Sequence, residues 1–154
     1  MGSEANQITL AGEQTTGDPV AENPMGENPT GEELTGEELA AEDAKLVVLA
    51  RSARLRAYTP RGERAEGAAV RDTDGRTYAA ATVGHARAQL ATSALRAAVV
   101  SAAASGARRF EAAAVVSEAA AVAADDLAVL AEFGAGVPVF LAGPDGVART
   151  RTTV

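Results

Sequence analysis

Apolar and polar positions divide the chain into two unequal parts. Over residues 1–40 large apolar side chains are sparse and Gly, Pro, Glu, Asn and Thr predominate. Such a stretch buries too little apolar surface to offset the entropy of ordering it, so it is expected to be a disordered tail. It carries a degenerate five-residue repeat: Gly26-Glu27-Asn28-Pro29-Thr30, Gly31-Glu32-Glu33-Leu34-Thr35 and Gly36-Glu37-Glu38-Leu39-Ala40. The spacing of Leu34 and Leu39 matches neither a helix face nor a strand. Beyond residue 40 the pattern changes. Leu46, Val47, Leu49 and Ala50 recur at helical spacing, with Glu42 and Asp43 in the first turn and Arg51, Arg54 and Arg56 in the last, which predicts a helix over 41–56.

Strand patterns follow. Ala68 and Val70 alternate with Ala69 and Arg71, and Asp72-Thr73-Asp74-Gly75 supplies a turn, so residues 67–72 and 76–83 read as a hairpin. A loop over 84–91 contains His85. The next helix is expected over 92–105, capped by Thr92 and stopped by Gly106, with Leu95, Ala98, Val99 and Ala102 as a stripe of small side chains. Residues 110–116 form a near-continuous apolar run, as in a strand covered on both faces. A helix then opens at Asp125 or Asp126 and carries Leu127, Leu130 and Phe133. Residues 137–142 give another apolar strand, and 147–154 an edge strand. The order of strand pair, helix, strand, helix, strand predicts an α/β domain over 41–154, with a mixed sheet and helices on its faces.

Composition narrows this picture. The 154 residues include no Trp and only 3% aromatics. A core of Ala, Val and Leu buries little area per side chain, so shared subunit surface, and hence a homo-oligomer, is expected. Cysteine is absent, which excludes disulfides and thiolate metal ligands. No apolar run is long enough to span a membrane and no basic-then-apolar leader opens the chain, so a cytoplasmic location is the expectation. The net charge of −7 conceals an asymmetry, because eleven of the 21 acidic residues lie within residues 1–43 and no Lys or Arg does. From residue 44 onward ten acidic residues face 14 basic ones, all Arg except Lys45. Dispersed Arg without interleaved aromatics offers neither a stacking platform nor a continuous stripe, so nucleic-acid binding is not expected. The acidic tail is read first as a solubilising segment; the sharper reading is that it folds back on the domain's own Arg residues or docks on a basic partner.

The turns and strand order over residues 43–142 resemble the cytidine deaminase family of small zinc-dependent deaminases. Gly67-Ala68-Ala69-Val70 with Asp74-Gly75 is similar to the family's first hairpin. Ala81-Thr82-Val83-Gly84-His85-Ala86 falls on its Gly-x-Asn-Val-Glu-Asn-Ala segment, keeping Val83 and Ala86. Ser93-Ala94-Leu95-Arg96 falls on Cys/His-Ala-Glu-Arg, keeping Ala94 and Arg96. Val122-Ala123-Ala124-Asp125-Asp126 falls on Pro-Cys-x-x-Cys and keeps none of it. The resemblance implies a three-layer α/β fold, with dimers or tetramers. It also locates the family's three metal ligands at Ser93, Ala123 and Asp126, its proton-shuttling acid at Leu95, and its sugar-binding pair at Thr82 and Gly84.

Those substitutions remove the chemistry the resemblance would bring. Zinc deaminases need three Cys or His ligands to acidify a bound water, and a Glu to move its proton. Ser93 is a poor zinc donor, Ala123 is no donor and Leu95 does not titrate, so neither zinc nor deaminase catalysis is expected. His85 with Asp125 and Asp126 is the one alternative metal set, but the two Asp residues are explained as charges or caps at a helix start. Ser93 as a nucleophile lacks a base nearby in sequence. The expectation is an inactive cytidine deaminase-like protein, a homodimer or homotetramer acting as an interaction or scaffolding module, with a protein partner engaged through the tail. The alternative is a nucleoside or small-ligand binder or enzyme that uses the old cleft around Thr82, His85, Arg96 and Asp126.

Overall fold

A computed structural model describes residues 31–34 and 39–154. A two-residue strand β1 (Glu32–Glu33) precedes helix α1 (Ala41–Arg54), and the hairpin β2 (Gly67–Asp72) and β3 (Thr77–Ala81) follows. A 3-10 turn (Ala88–Leu90) leads to α2 (Ala94–Ala104), then β4 (Phe110–Val116), α3 (Ala124–Ala131), β5 (Pro138–Ala142) and β6 (Ala148–Thr153). The strands form one sheet in the order β1-β6-β5-β4-β2-β3. β4 and β5 are parallel and every other neighbouring pair is antiparallel, so the sheet is mixed.

Alternation along the strands sorts side chains into two cores. Ala68, Val70, Ala113, Val115, Val139 and Leu141 point to one face, where Leu95 and Val99 of α2 and Leu127 and Leu130 of α3 cover them. Ala69, Ala112, Ala114, Val116, Phe140 and Ala142 point to the other, under Leu46, Val47 and Ala50 of α1. The result is a three-layer α/β domain with helices on both faces, as the strand runs predict. Small side chains bring the layers close: at Gly67 even a methyl group would run into the Ala50 carbonyl and the Arg54 amide of α1. At the end of the sheet Phe110 meets Phe133 edge-to-face, with ring centroids 5.6 Å apart.

Several local expectations are corrected. α1 stops at Arg54 instead of 56, because Leu55 is 83% exposed and no layer packs on a further turn. Leu49 lies at the margin of the α1 stripe, and the buried positions are Leu46, Val47, Ala50 and Ala53. Thr92 does not cap α2, since its backbone pairs with that of Val83 at 2.8 and 3.0 Å; Ser93 takes that role. β6 is not the edge strand. Within the segment read as a tail, β1 pairs outside it, Glu32 opposite Arg151 and Glu33 opposite Thr150. The rest of residues 1–38 lies outside the described residues. Among the described residues no helix is long and apolar enough to cross a membrane.

Candidate functional site

Two helix starts meet at one end of the sheet. Ser93 has extended backbone angles (φ −74°, ψ 159°), and its Oγ accepts the Arg96 N–H at 3.2 Å, so α2 begins behind a serine cap. α3 has no side-chain cap, and Asp125 and Asp126 stand in its first turn, where the helix dipole favours negative charge. The Ser93 hydroxyl donates to Asp126 Oδ1 at 2.8 Å, and Arg96 Nη2 lies 3.9 Å from the same oxygen. Asp126 is only 7% exposed, and Arg96 Nε is enclosed without a hydrogen-bond partner among the described residues. Ser93 thus spends its hydroxyl both as donor and as acceptor, holding one helix start to the other.

Beside this pair lies a small cavity of about 90 Å³. Ala123, Asp126, Glu66, Ser117 and Arg64 line it over a floor that includes Val115 and Leu141. Glu66 Oε2 accepts the Ser117 hydroxyl at 2.6 Å, and Ser117 Oγ accepts the Ala119 N–H at 2.9 Å. From β6, Arg149 Nη2 donates to the Ser117 and Ala119 carbonyls at 2.9 and 3.1 Å, fixing the loop that walls the cavity. A larger open groove of about 340 Å³ beside Val48, Leu49 and Arg71 lies on the α1 side of the sheet, away from all of these groups.

The structure therefore brings Ser93, Arg96 and Asp126 together, with Ala123 at the cavity wall. Leu95 is 1% exposed and belongs to the core under α2. Thr82 is buried and engaged elsewhere: its Oγ1 accepts the Glu66 N–H at 3.0 Å and donates to the Glu66 carbonyl at 3.3 Å. His85 is exposed, and its Nδ1 accepts the Arg87 N–H at 2.9 Å within its own loop. Against Gly84 lies the carboxylate of Glu63. Hydrogen bonding from its own backbone amide, opposed by burial and aided by the amides of Arg61 and His85 and the Arg61 charge, holds that carboxyl below the usual glutamate range.

The donor set at Ser93, Ala123 and Asp126 does not fit a zinc ion, because it offers one neutral hydroxyl, one methyl group and one carboxylate already bonded to that hydroxyl. No group of three His, Cys, Asp or Glu side chains among the described residues is placed to hold a metal ion. Glu66, Ser117 and Arg149 were not legible as site residues. Each is an ordinary polar residue at an element end or in a loop, and only the sheet brings them together.

A family model described as cytidine deaminase-like matches residues 39–146. Among solved structures, a cytidine deaminase from Burkholderia pseudomallei is 31% identical with a TM-score of 0.66, covering 75% of this chain and 93% of that one. A cytidine deaminase from Mycobacterium tuberculosis is 25% identical with a TM-score of 0.60, covering 72% of this chain and 91% of that one. The comparison with curated proteins finds no match. With the family model spanning both helix starts and strands β2 to β5, the chain belongs to the cytidine deaminase-like family.

Proposed function

We propose that this chain is a catalytically inactive member of that family, acting as a homo-oligomeric interaction or scaffolding module without zinc. One observation carries the reading: Ser93 and Asp126, at two of the positions where the family resemblance locates metal ligands, are bonded directly to each other at 2.8 Å. The remaining positions support it, since Ala123 offers no donor and Leu95, where the proton-shuttling acid would stand, is core. Removing an acid from the reaction centre removes the proton transfer that attack by water requires. An oligomer suits a domain whose core rests on Ala and Val, and exposed Val100 on α2 offers apolar surface for it.

A second reading, small-ligand binding in the old cleft, draws on the Glu66, Ser117 and Asp126 cavity. Its volume of about 90 Å³ opposes a nucleoside, because pockets for molecules of that class start at roughly 300 Å³. The test is metal analysis of the purified full chain together with a cytidine deamination assay. Less than a tenth of an equivalent of zinc (~0.1) and no turnover are expected if the three-ligand requirement holds; stoichiometric zinc with turnover overturns the proposal.

A further inference from the structure

We propose that the outer edge of β6 is a receptor for an acidic Gly-Glu-Glu-Leu strand, filled in cis by residues 31–34 and, when that strand withdraws, by the same segment of a second copy of this chain. The proposal deepens the interaction-module reading by naming a surface and its partner, and rests on that reading only for its biological purpose.

Each residue of the segment has a reason to be what it is. Gly31 passes so close to β6 that a Cβ there would stand 2.8 Å from Thr150 Cβ and 2.9 Å from the Thr150 and Thr152 hydroxyls, so any side chain at that position would have to displace the two threonines or the strand itself. Glu32 is the cross-strand neighbour of Arg151, whose guanidinium lies 6.0 Å from the centre of the Phe140 ring. Opposite charges in that relation favour pairing. The Leu34 N–H donates to the Arg149 carbonyl at 2.9 Å, and its side chain packs on the α1-side core together with Leu39.

The edge selects against itself and for the tail. Two β6 edges meeting antiparallel would bring Arg-bearing strands together, whereas residues 1–43 hold eleven acidic and no basic residues. The occupant is also easily released, because β1 makes only two residue pairs and leaves Glu32 and Glu33 exposed. Segments with so few buried contacts open at low free-energy cost. Recurrence of the same four residues at Gly36-Glu37-Glu38-Leu39 places a duplicate of the motif on every chain.

Hydrogen exchange over β6 tests this in the full chain, using Gly31→Val to expel the strand and Glu32→Lys/Glu33→Lys to reverse its charge. Both variants, folded by circular dichroism, should exchange residues 148–153 about tenfold faster or more than the unsubstituted chain. A free peptide of residues 30–35, standing in for the segment of a second copy, should restore protection to Gly31→Val; the same peptide with both Glu replaced by Lys should not. Unchanged exchange in both variants, or equal protection by the charge-reversed peptide, overturns the proposal. None of these readouts depends on zinc or turnover, so loss of the inactive-module reading and loss of the receptor are separate results.

Discussion

Removing the Ser93 hydroxyl tests whether the two helix starts are joined by a single shared bond. Ser93→Ala deletes a cap, which costs about 1 kcal/mol. It also leaves Asp126, 7% exposed, without the donor at 2.8 Å. A hydrogen bond to a charged group contributes about 1.5–3 kcal/mol, so the single variant should lose about 2.5–4 kcal/mol. Asp126→Ala should lose about 1.5–3 kcal/mol for the same bond. The double variant cannot lose that bond twice, so the two effects should fall short of additivity by about 1.5–3 kcal/mol, as for side chains in contact. Urea unfolding followed by far-UV circular dichroism, at one fixed protein concentration because an oligomer's stability depends on it, measures all three. Additivity within about 0.5 kcal/mol would refute the shared bond and with it the observation on which the proposed inactivity rests.

Leu95→Glu, which returns an acid to the start of α2, should cost about 3 kcal/mol or more, whereas Leu95→Met should cost under about 1.5 kcal/mol; thermal unfolding of both compares burial of an unpaired carboxylate with a change of shape alone. Ser93→Cys/Ala123→Cys/Asp126→Cys should bind cobalt(II) with thiolate-to-metal absorption that the unsubstituted chain lacks, and a folded variant without those bands would show that the three positions do not converge. Glu63 has a folded-state pKa below its value in the unfolded chain, so its stabilisation is present above the unfolded pKa and is lost as pH falls through the folded one. Glu63→Gln should therefore flatten the acid limb of the stability profile below about pH 5 and leave the alkaline limb unchanged, as acid titration of the folded chains would report.

Periodicity was enough to determine the layers of this protein. The alternation of Ala68 and Val70 with Ala69 and Arg71, and the unbroken apolar runs of β4 and β5, specify a sheet buried on both faces, because side-chain direction repeats every two residues whatever the rest of the chain does. The departures from the family pattern at Ser93, Leu95, Ala123 and Asp126 were legible as well, since residue type is read directly from the sequence. That Ser93 bonds to Asp126, and Glu66 to Ser117, was decided by tertiary structure alone. Ser93 finds Asp126 across 33 residues and Glu66 finds Ser117 across 51, distances over which no local pattern carries information. Nor did the spacing of Leu34 and Leu39 predict a strand, because β1 is made by the edge of β6, with Thr150, Thr152, Arg151 and a free row of backbone groups, and not by any preference of its own residues.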